Sequence, residues 1–303
     1  MVRKLRGASV LVFALVVALA LLGMAGCAEE VVDEAPESDE VESIEEEASG
    51  LDVFAGTDGS IDIAGGTAHI PVMEAAAADI MRAHADIVIT IAGGGSGVGI
   101  QQVGEGLVDI GNSGREPRQE EFDQYPDLVL FEWAIDGVAI IAHPDNPVDD
   151  LTSEQLVGIF AGEITDWSEV GGEAGAINVY AREDGSGTGE TFIDRGLDGG
   201  DVTPEAIIVT SNGAMKTAVA ADEQAIGFMS IGSMDDSVAG VALNGAAPTQ
   251  ENAIDGSYVV TRKLYSLTNG QPEGLTRTFL DFIMGPDGVS YIEDAGYIPI
   301  YVE

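Results

Sequence analysis

Four times along the chain, an apolar run rich in β-branched residues ends in small residues and passes into a helix-like pattern. The runs cover residues 61–64, 87–92, 177–182 and 207–210. After the first run, apolar residues recur at helical spacing, at Met73, Ala77, Ile80 and Met81. Strands that alternate with helices predict an α/β protein with mainly parallel sheets.

The turns between these strands and helices are rich in glycine and hydroxyl side chains. The three most similar turns cover residues 65–68, 93–97 and 184–188. A helix N-terminus presents unpaired N–H groups, and glycine lets an anion approach the backbone. One such turn alone is better explained as a helix cap. Three turns of one kind favour an oxyanion site that needs few formal positive charges.

Charge and composition exclude several classes of function. The 303 residues include 12 Lys+Arg and 53 Asp+Glu, which gives a formal net charge of −41. This balance argues against nucleic acid as a partner and against basic patches that bind anionic lipid. One cysteine excludes a disulfide scaffold, and three scattered histidines disfavour a metal centre. We therefore expect no metal and no cofactor.

Enzyme motifs are also missing from the sequence. No glycine is followed by lysine, so there is no P-loop, and no serine stands in the G-x-S-x-G pattern. A Ser-His-Asp triad is improbable with so few histidines. We predict no catalytic residue, although a phosphatase built on carboxylate-bound metal stays open because acidic residues are everywhere.

The N-terminal segment has the pattern of a secretory signal. Three basic residues precede an apolar run at 8–22, and small residues lead to Cys27. This ending resembles the bacterial lipobox, with Met24 in place of the usual leucine. We predict a signal peptide at 1–26 and lipidation of Cys27, with palmitate among the acyl chains, which would tether the exported protein to the outer face of the cell membrane. The alternative is an ordinary signal peptide with an incidental cysteine.

A linker separates this anchor from the folded region. Residues 28–50 hold 11 acidic residues, no basic residue and no aromatic residue. Such a segment repels itself and has nothing to pack, so we predict a disordered acidic spacer at 27–50. The remaining residues 51–303 still carry 42 acidic and 9 basic residues.

At the glycine-rich turns the sequence resembles the substrate-binding proteins of bacterial phosphate ABC transporters, over nearly all of 58–303. Residues 182–188 resemble the family's Arg-x-x-Gly-Ser-Gly-Thr anion loop. Residues 94–97 and 65–68 resemble its other two loops, and residues 109–116 resemble a stretch that usually ends in Ser-Ser-Arg-Glu. No single motif is decisive, but their order and spacing together are strong evidence.

The resemblance implies a two-lobed α/β protein, the type II periplasmic-binding-protein-like fold with a two-strand hinge. Lobe one would cover 51–136 and 258–303, and lobe two 137–257. The implied function is a non-enzymatic receptor that binds inorganic phosphate, closes, and docks on an ABC transporter permease. Other open classes are a receptor for another tetrahedral oxyanion such as sulfate or molybdate, an exported phosphatase, and a structural lipoprotein that has lost its ligand.

The resemblance also implies the site. The implied phosphate contacts are Thr67, Ala68, Ser96, Arg182, Ser186, Gly187 and Thr188. Some members place an acidic acceptor for the phosphate proton at the position of Gly114, which cannot fill that role. The candidates for acceptor or for support of the site are Gly114, Arg115, Glu116, Asp136 and Asp184. Asp184 would orient Arg182 or cap the next helix, and Arg115 would reach the anion or pair with Glu116.

Overall fold

The computed structural model describes residues 50–300, so the predicted signal peptide, Cys27 and nearly all of the acidic spacer lie outside the described residues. The strands are β1 (Gly59–Gly65), β2 (Ile87–Gly93), β3 (Ile110–Ser113), β4 (Leu128–Ala142), β5 (Asp150–Leu151), β6 (Asn178–Arg182), β7 (Ile207–Val209), β8 (Ala225–Ser230), β9 (Ala239–Leu243), β10 (Thr261–Asn269) and β11 (Ile298–Pro299). The helices are α1 (Ile70–Ala83), α2 (Ser96–Gly104), α3 (Gln119–Gln124), α4 (Ser153–Ala161), α5 (Gly187–Thr191), α6 (Asn212–Ala220), α7 (Gln250–Ile254), α8 (Gly274–Met284) and α9 (Val289–Asp294).

The strands form one connected sheet with the order β2-β1-β3-β10-β4-β8-β6-β7, and β5, β9 and β11 join it at its side. The predicted α/β class is confirmed. The prediction of mainly parallel sheets is wrong, because five of the ten strand pairings within residues 50–300 are antiparallel. The antiparallel pairings all involve β4 or β10, two long strands that are not part of a local strand-helix-strand unit.

The two largest of the four buried apolar clusters within residues 50–300 both include residues of β4. Trp133 and Ala134 belong to the first cluster, whereas Val138 and Ile140 belong to the second. The pairing of β4 changes at the same place, from β10 up to Gly137 to β8 from Val138 onward. The strand therefore passes from one apolar cluster to the other near Gly137.

The helices that follow β1 and β6 differ in length and in local structure. Helix α1 has a proline in its first turn and buries Val72, Met73, Ala76 and Ile80 at helical spacing. Helix α5 is short and continues directly into a turn of π-helix, Phe192–Gly196.

No helix among residues 50–300 is long and apolar enough to cross a membrane.

Candidate functional site

Three loops that follow parallel strands meet at one place. They connect β1 to α1, β2 to α2 and β6 to α5. Gly95 N–H donates to the Gly65 carbonyl (3.0 Å), and Gly97 N–H donates to the Gly185 carbonyl (3.1 Å). A Cβ on Gly187 would lie 2.1 Å from Ser96 Oγ, so the approach of these two loops requires glycine at 187.

The loops line a small cavity. Its lining residues are Gly66, Thr67, Ala68, His69, Gly95, Ser96, Gly114, Arg182, Ser186, Gly187, Thr188 and Arg262. The structure thus brings together all seven residues that the resemblance implies as anion contacts, from loops up to 121 residues apart in the sequence. Gly114 also lines the cavity, whereas Arg115, Glu116, Asp136 and Asp184 do not.

Hydroxyl side chains in the cavity are oriented by the backbone. Three of them accept an N–H at their oxygen: Ser96 from Gly114 (2.9 Å), Ser186 from Gly189 (3.2 Å) and Thr67 from Asn212 (3.3 Å). A hydroxyl whose oxygen accepts such a bond keeps its own hydrogen for another partner. These side chains are therefore set to donate into the cavity.

Arg182 at the end of β6 is buried, with only 1% of its side chain exposed. Its Nε and Nη2 atoms donate to the Glu183 carboxylate at 3.2 and 3.0 Å. Nη1 has a long contact of 3.5 Å with Asn212 Oδ1, and Arg182 is among the residues that line the cavity. The expectation that Asp184 orients Arg182 is wrong: Glu183 holds the guanidinium, and Asp184 is exposed.

A second arginine, Arg262 on β10, also lines the cavity and was missed by sequence reasoning. Its Nε and Nη2 atoms donate to Asp136 Oδ2 at 3.0 and 2.8 Å, and 5% of its side chain is exposed. Nη1 lies beside Gly114, since a Cβ built there would be 2.5 Å from it. A sequence signal did exist: Arg262 alternates in phase with the buried Leu264 and Ser266 along the strand.

Asp136 on β4 supports the site from behind instead of facing the anion. Its second carboxylate oxygen accepts from Ser230 Oγ at 2.8 Å, and that hydroxyl lies 3.0 Å from the Tyr297 hydroxyl. Tyr297 in turn donates to the Ala68 carbonyl at 2.6 Å. Burial raises the pKa of Asp136, and the adjacent Arg262 opposes this. The structure thus corrects another expectation, because Asp136 holds Arg262 and does not line the cavity as an acceptor.

His69, just before α1, is a further lining residue that sequence reasoning did not select. Its ring nitrogens lie 3.1 Å from the carbonyl oxygens of Gly66 and Tyr265. Burial, assisted by the nearby Arg262, lowers the pKa of His69 to about 3. The imidazole is therefore neutral at physiological pH, and one of its nitrogens donates to a carbonyl.

Arg115 and Glu116 lie outside the cavity. Arg115 donates to the Glu121 carboxylate at 2.7 and 2.8 Å, and its Nε is 2.9 Å from Glu190 Oε2. The Glu116 carboxylate accepts from the Tyr265 hydroxyl at 3.1 Å. The expected alternatives for Arg115, an anion contact or an ion pair with Glu116, are thus replaced by pairs with two other carboxylates.

The chemistry of the cavity is that of an anion site. It contains two guanidinium groups and four hydroxyls, and no carboxylate among residues 50–300 lines it. Within the same part of the chain there is no group of three or more His, Cys, Asp or Glu that could hold a metal ion. Buried cations with hydroxyl and backbone N–H donors match a tetrahedral oxyanion.

Comparison with known proteins gives consistent matches. A family model described as a PBP superfamily domain matches residues 53–287. The phosphate-binding protein PstS of Bacillus subtilis is 36% identical over 244 residues, which cover 80% of this chain and 81% of that protein.

Solved structures agree in fold. A chain from Clostridium perfringens, described as a phosphate ABC transporter substrate-binding protein with bound phosphate, aligns with a TM-score of 0.75 and 35% identity, covering 80% of this chain and all (100%) of that one. An ABC-type phosphate transport receptor from Vibrio cholerae aligns with a TM-score of 0.63 and 36% identity. The alignment covers 78% of this chain and 99% of that one.

Proposed function

The chain belongs to the PBP superfamily and to the PstS family of phosphate-binding proteins, and we propose that it is an extracytoplasmic receptor that delivers inorganic phosphate to an ABC importer. Members of this family are transport receptors, so the chain is a substrate-binding protein and not an enzyme. The exported phosphatase considered from the sequence is set aside on that ground.

The observation that carries the proposal is the cavity with two buried guanidinium groups and no lining carboxylate among residues 50–300. Phosphate would accept hydrogen bonds from Nη1 of Arg182 and Nη1 of Arg262. Thr67, Ser96, Ser186 and Thr188 would donate their hydroxyl hydrogens, and the backbone N–H groups of Ala68 and Gly187 would complete the shell. Charge-assisted bonds of this kind are about twice as strong as neutral ones, which suits a ligand taken from dilute solution.

Both proposed lobes would contribute to the shell. Of the lining residues, Thr67, Ala68, Ser96 and Arg262 fall within the proposed lobe one, and Arg182 and Ser186 to Thr188 fall within the proposed lobe two. We place lobe one at 51–136 and 258–303 and lobe two at 137–257, with β4 and β10 at the crossing. Phosphate held between the halves would stabilise the closed form, and a permease that binds only the closed form would distinguish loaded from empty receptor.

The pattern of the N-terminal segment supports a location of the protein at the outer face of the cell membrane. We propose that the signal peptide at 1–26 is removed, that Cys27 carries the lipid, palmitate included, and that 27–50 is the acidic spacer. Stable anchoring generally takes more than one acyl chain, as a lipidated N-terminal cysteine provides. The folded region would then stand at the outer face of the cell membrane, next to its permease.

The test is a titration of the phosphate-stripped protein with inorganic phosphate, followed by calorimetry and by thermal unfolding. Because phosphate would bind only the folded state, it should stabilise the protein by about 2.7 kcal/mol at roughly 100 times its Kd. Nitrate, which is planar and monovalent, is the control and should have no effect. A protein that phosphate neither binds nor stabilises would contradict the proposal, as would steady release of phosphate from a phosphate ester.

A further inference from the structure

Tyr297 is a fully buried residue that lies behind the anion cavity and does not line it. It directly precedes β11, and β11 pairs with Ala134 and Ile135 of β4, next to Asp136. Burial raises the pKa of the Tyr297 hydroxyl, so this group keeps its hydrogen at physiological pH. A buried tyrosine hydroxyl needs a hydrogen-bond partner, and its contacts therefore show which parts of the fold it connects.

The Tyr297 hydroxyl donates its hydrogen to the Ala68 carbonyl, at 2.6 Å. Ala68 stands just before α1, and the helix does not use this carbonyl: the bond of its first turn runs from Met73 N–H to the His69 carbonyl. The N–H group of the same peptide, that of His69, donates to the Gly66 carbonyl at 3.1 Å. The peptide between Ala68 and His69 is therefore held at both ends.

This peptide belongs to the β1–α1 loop, which carries two of the implied anion contacts, Thr67 and Ala68. The Ala68 N–H lies on the preceding peptide, and no acceptor for it is present among residues 50–300. Only two soft dihedral angles separate neighbouring peptide planes, so a peptide that is fixed restricts the direction of the one before it. Tyr297 thus restricts the direction of Ala68 N–H from outside the cavity.

The other contacts of Tyr297 are with residues that follow β8 or end it. The hydroxyl lies 3.0 Å from Ser230 Oγ, and a Cβ on Gly232 would lie 2.5 Å from two ring carbons of Tyr297. The Tyr297 carbonyl accepts from Gln250 Nε2 at 2.7 Å. On the proposed boundaries these three partners belong to lobe two, whereas Tyr297 and Ala68 belong to lobe one. Tyr297 would therefore join the β1–α1 loop to lobe two.

Ser230 connects the same tyrosine to an arginine of the cavity. Ser230 Oγ donates to Asp136 Oδ1 at 2.8 Å, and Asp136 Oδ2 accepts from Arg262 Nε and Nη2 at 3.0 and 2.8 Å. A buried polar chain, formed by Ala68, Tyr297, Ser230, Asp136 and Arg262, thus runs from the β1–α1 loop to a guanidinium group. None of its five residues is more than 8% exposed, and water therefore cannot replace a link that is lost.

We infer that Tyr297 is a positioning residue for phosphate binding: through the buried polar chain it holds the β1–α1 loop and Arg262 in one arrangement with Ser230. This inference rests on the proposed function and adds to it a residue that touches no ligand. Loss of the Tyr297 hydroxyl should weaken phosphate binding, and loss of the Ser230 hydroxyl should act through the same chain.

The experiment compares Tyr297→Phe with Tyr291→Phe by calorimetric titration with inorganic phosphate at one pH. Tyr297→Phe keeps the ring and removes one hydroxyl, and the phosphate Kd should rise roughly 3-fold to 12-fold, the equivalent of one net hydrogen bond. Tyr291→Phe removes a hydroxyl that donates to Asp79 at 3.0 Å, away from the cavity, and should leave Kd unchanged. A tyrosine that only stabilises the fold would lower the unfolding temperature of the phosphate-free protein and leave Kd unchanged, and that result overturns the inference.

Ser230→Ala and the double variant test the chain itself. Ser230→Ala should also raise the phosphate Kd, and the double variant should raise it by less than the product of the two separate factors, because both changes break one chain. Factors that multiply would show that Tyr297 and Ser230 act independently, which overturns the inference. An unchanged Kd in Ser230→Ala overturns it as well, whether or not the tyrosine variant folds. A wild-type protein that does not bind phosphate would instead contradict the proposed function.

Discussion

The two arginines of the cavity are each held by a carboxylate, Arg182 by its neighbour Glu183 and Arg262 by the distant Asp136. Arg182 and Arg262 both line the cavity, and each donates its Nε and Nη2 hydrogens to a carboxylate. Such a carboxylate fixes the guanidinium before the ligand arrives, so little side-chain entropy is lost on binding. The cavity is thus organised in advance for an anion.

Removal of one guanidinium should have a large and local effect. Arg182→Ala should raise the Kd for phosphate by an amount equivalent to roughly 2–5 kcal/mol, which is typical when one partner of a buried charge pair is truncated. Arg277→Ala is the matched control, because Arg277 pairs with Asp281 on the exposed face of α8. Calorimetry on both variants checks this, and similar Kd values would mean that Arg182 does not hold the anion.

His69 should make the protein sensitive to acid. Its pKa in the folded state is about 3, below the ordinary value of 6.5, so between these pH values the unfolded state binds more protons. The free energy of unfolding should therefore fall as pH drops below about 6.5, by up to about 1.4 kcal/mol per pH unit from this group. Urea unfolding of the phosphate-free protein at several pH values measures the slope. His69→Gln should show a shallower slope, and an unchanged slope would contradict this role.

At the scale of elements, α5 is tied to the segment between β3 and α3. Glu190 on α5 places Oε2 2.9 Å from Arg115 Nε and Oε1 3.0 Å from Arg118 Nη2. On the proposed boundaries, Glu190 belongs to lobe two and both arginines belong to lobe one. The three side chains would therefore bridge the two proposed lobes close to the anion cavity.

This bridge should slow the release of phosphate. Glu190→Gln should raise the dissociation rate by about three- to tenfold, with a smaller change in the association rate, because partly buried ion pairs act mainly on dissociation. Asp194→Asn removes the same charge four residues later from an exposed side chain and is the control. Stopped-flow measurements of the phosphate dissociation rate of both variants test this prediction. Equal dissociation rates would mean that the bridge does not hold the proposed lobes together.

At the scale of the whole molecule, the few cations are concentrated where an anion would bind. Of nine basic residues in 51–303, Arg182 and Arg262 line the cavity. Arg115, Arg195 and Lys263 line the adjacent open cleft together with Arg262. Glu116 also lines this cleft, and Arg115 and Lys263 are paired with carboxylates. The rest of a strongly acidic surface repels anions, so we expect phosphate to approach along the side where these basic residues lie.

The anchor and the receptor should be separable. Cys27→Ser should abolish lipidation and release the protein from membranes, while the phosphate Kd stays unchanged, because 23 acidic-spacer residues follow the cysteine. Membrane fractionation and a phosphate titration of the same variant measure both effects. Retention in the membrane fraction would argue against the lipid anchor, and a weakened Kd would mean that the spacer contributes to binding.

The sequence by itself determined the strand-loop-helix units and most of the side chains around the cavity. These features are local: periodicity marks the strands and helices, and the Gly, Ser and Thr residues of a loop lie next to each other in the chain. For that reason the loop patterns and the family resemblance they carry were enough to predict Thr67, Ser96, Arg182 and the 186–188 segment as anion contacts.

Only the tertiary structure decided which groups act together across the fold. Arg262 and Asp136 are 126 residues apart and meet because β10 pairs with β4 in antiparallel register. Glu183 and not Asp184 holds Arg182, since the turn directs one carboxylate inward and leaves the other exposed. Packing of the whole sheet determines which distant strands pair and where a side chain points after a turn. Local periodicity in the sequence predicts neither of these.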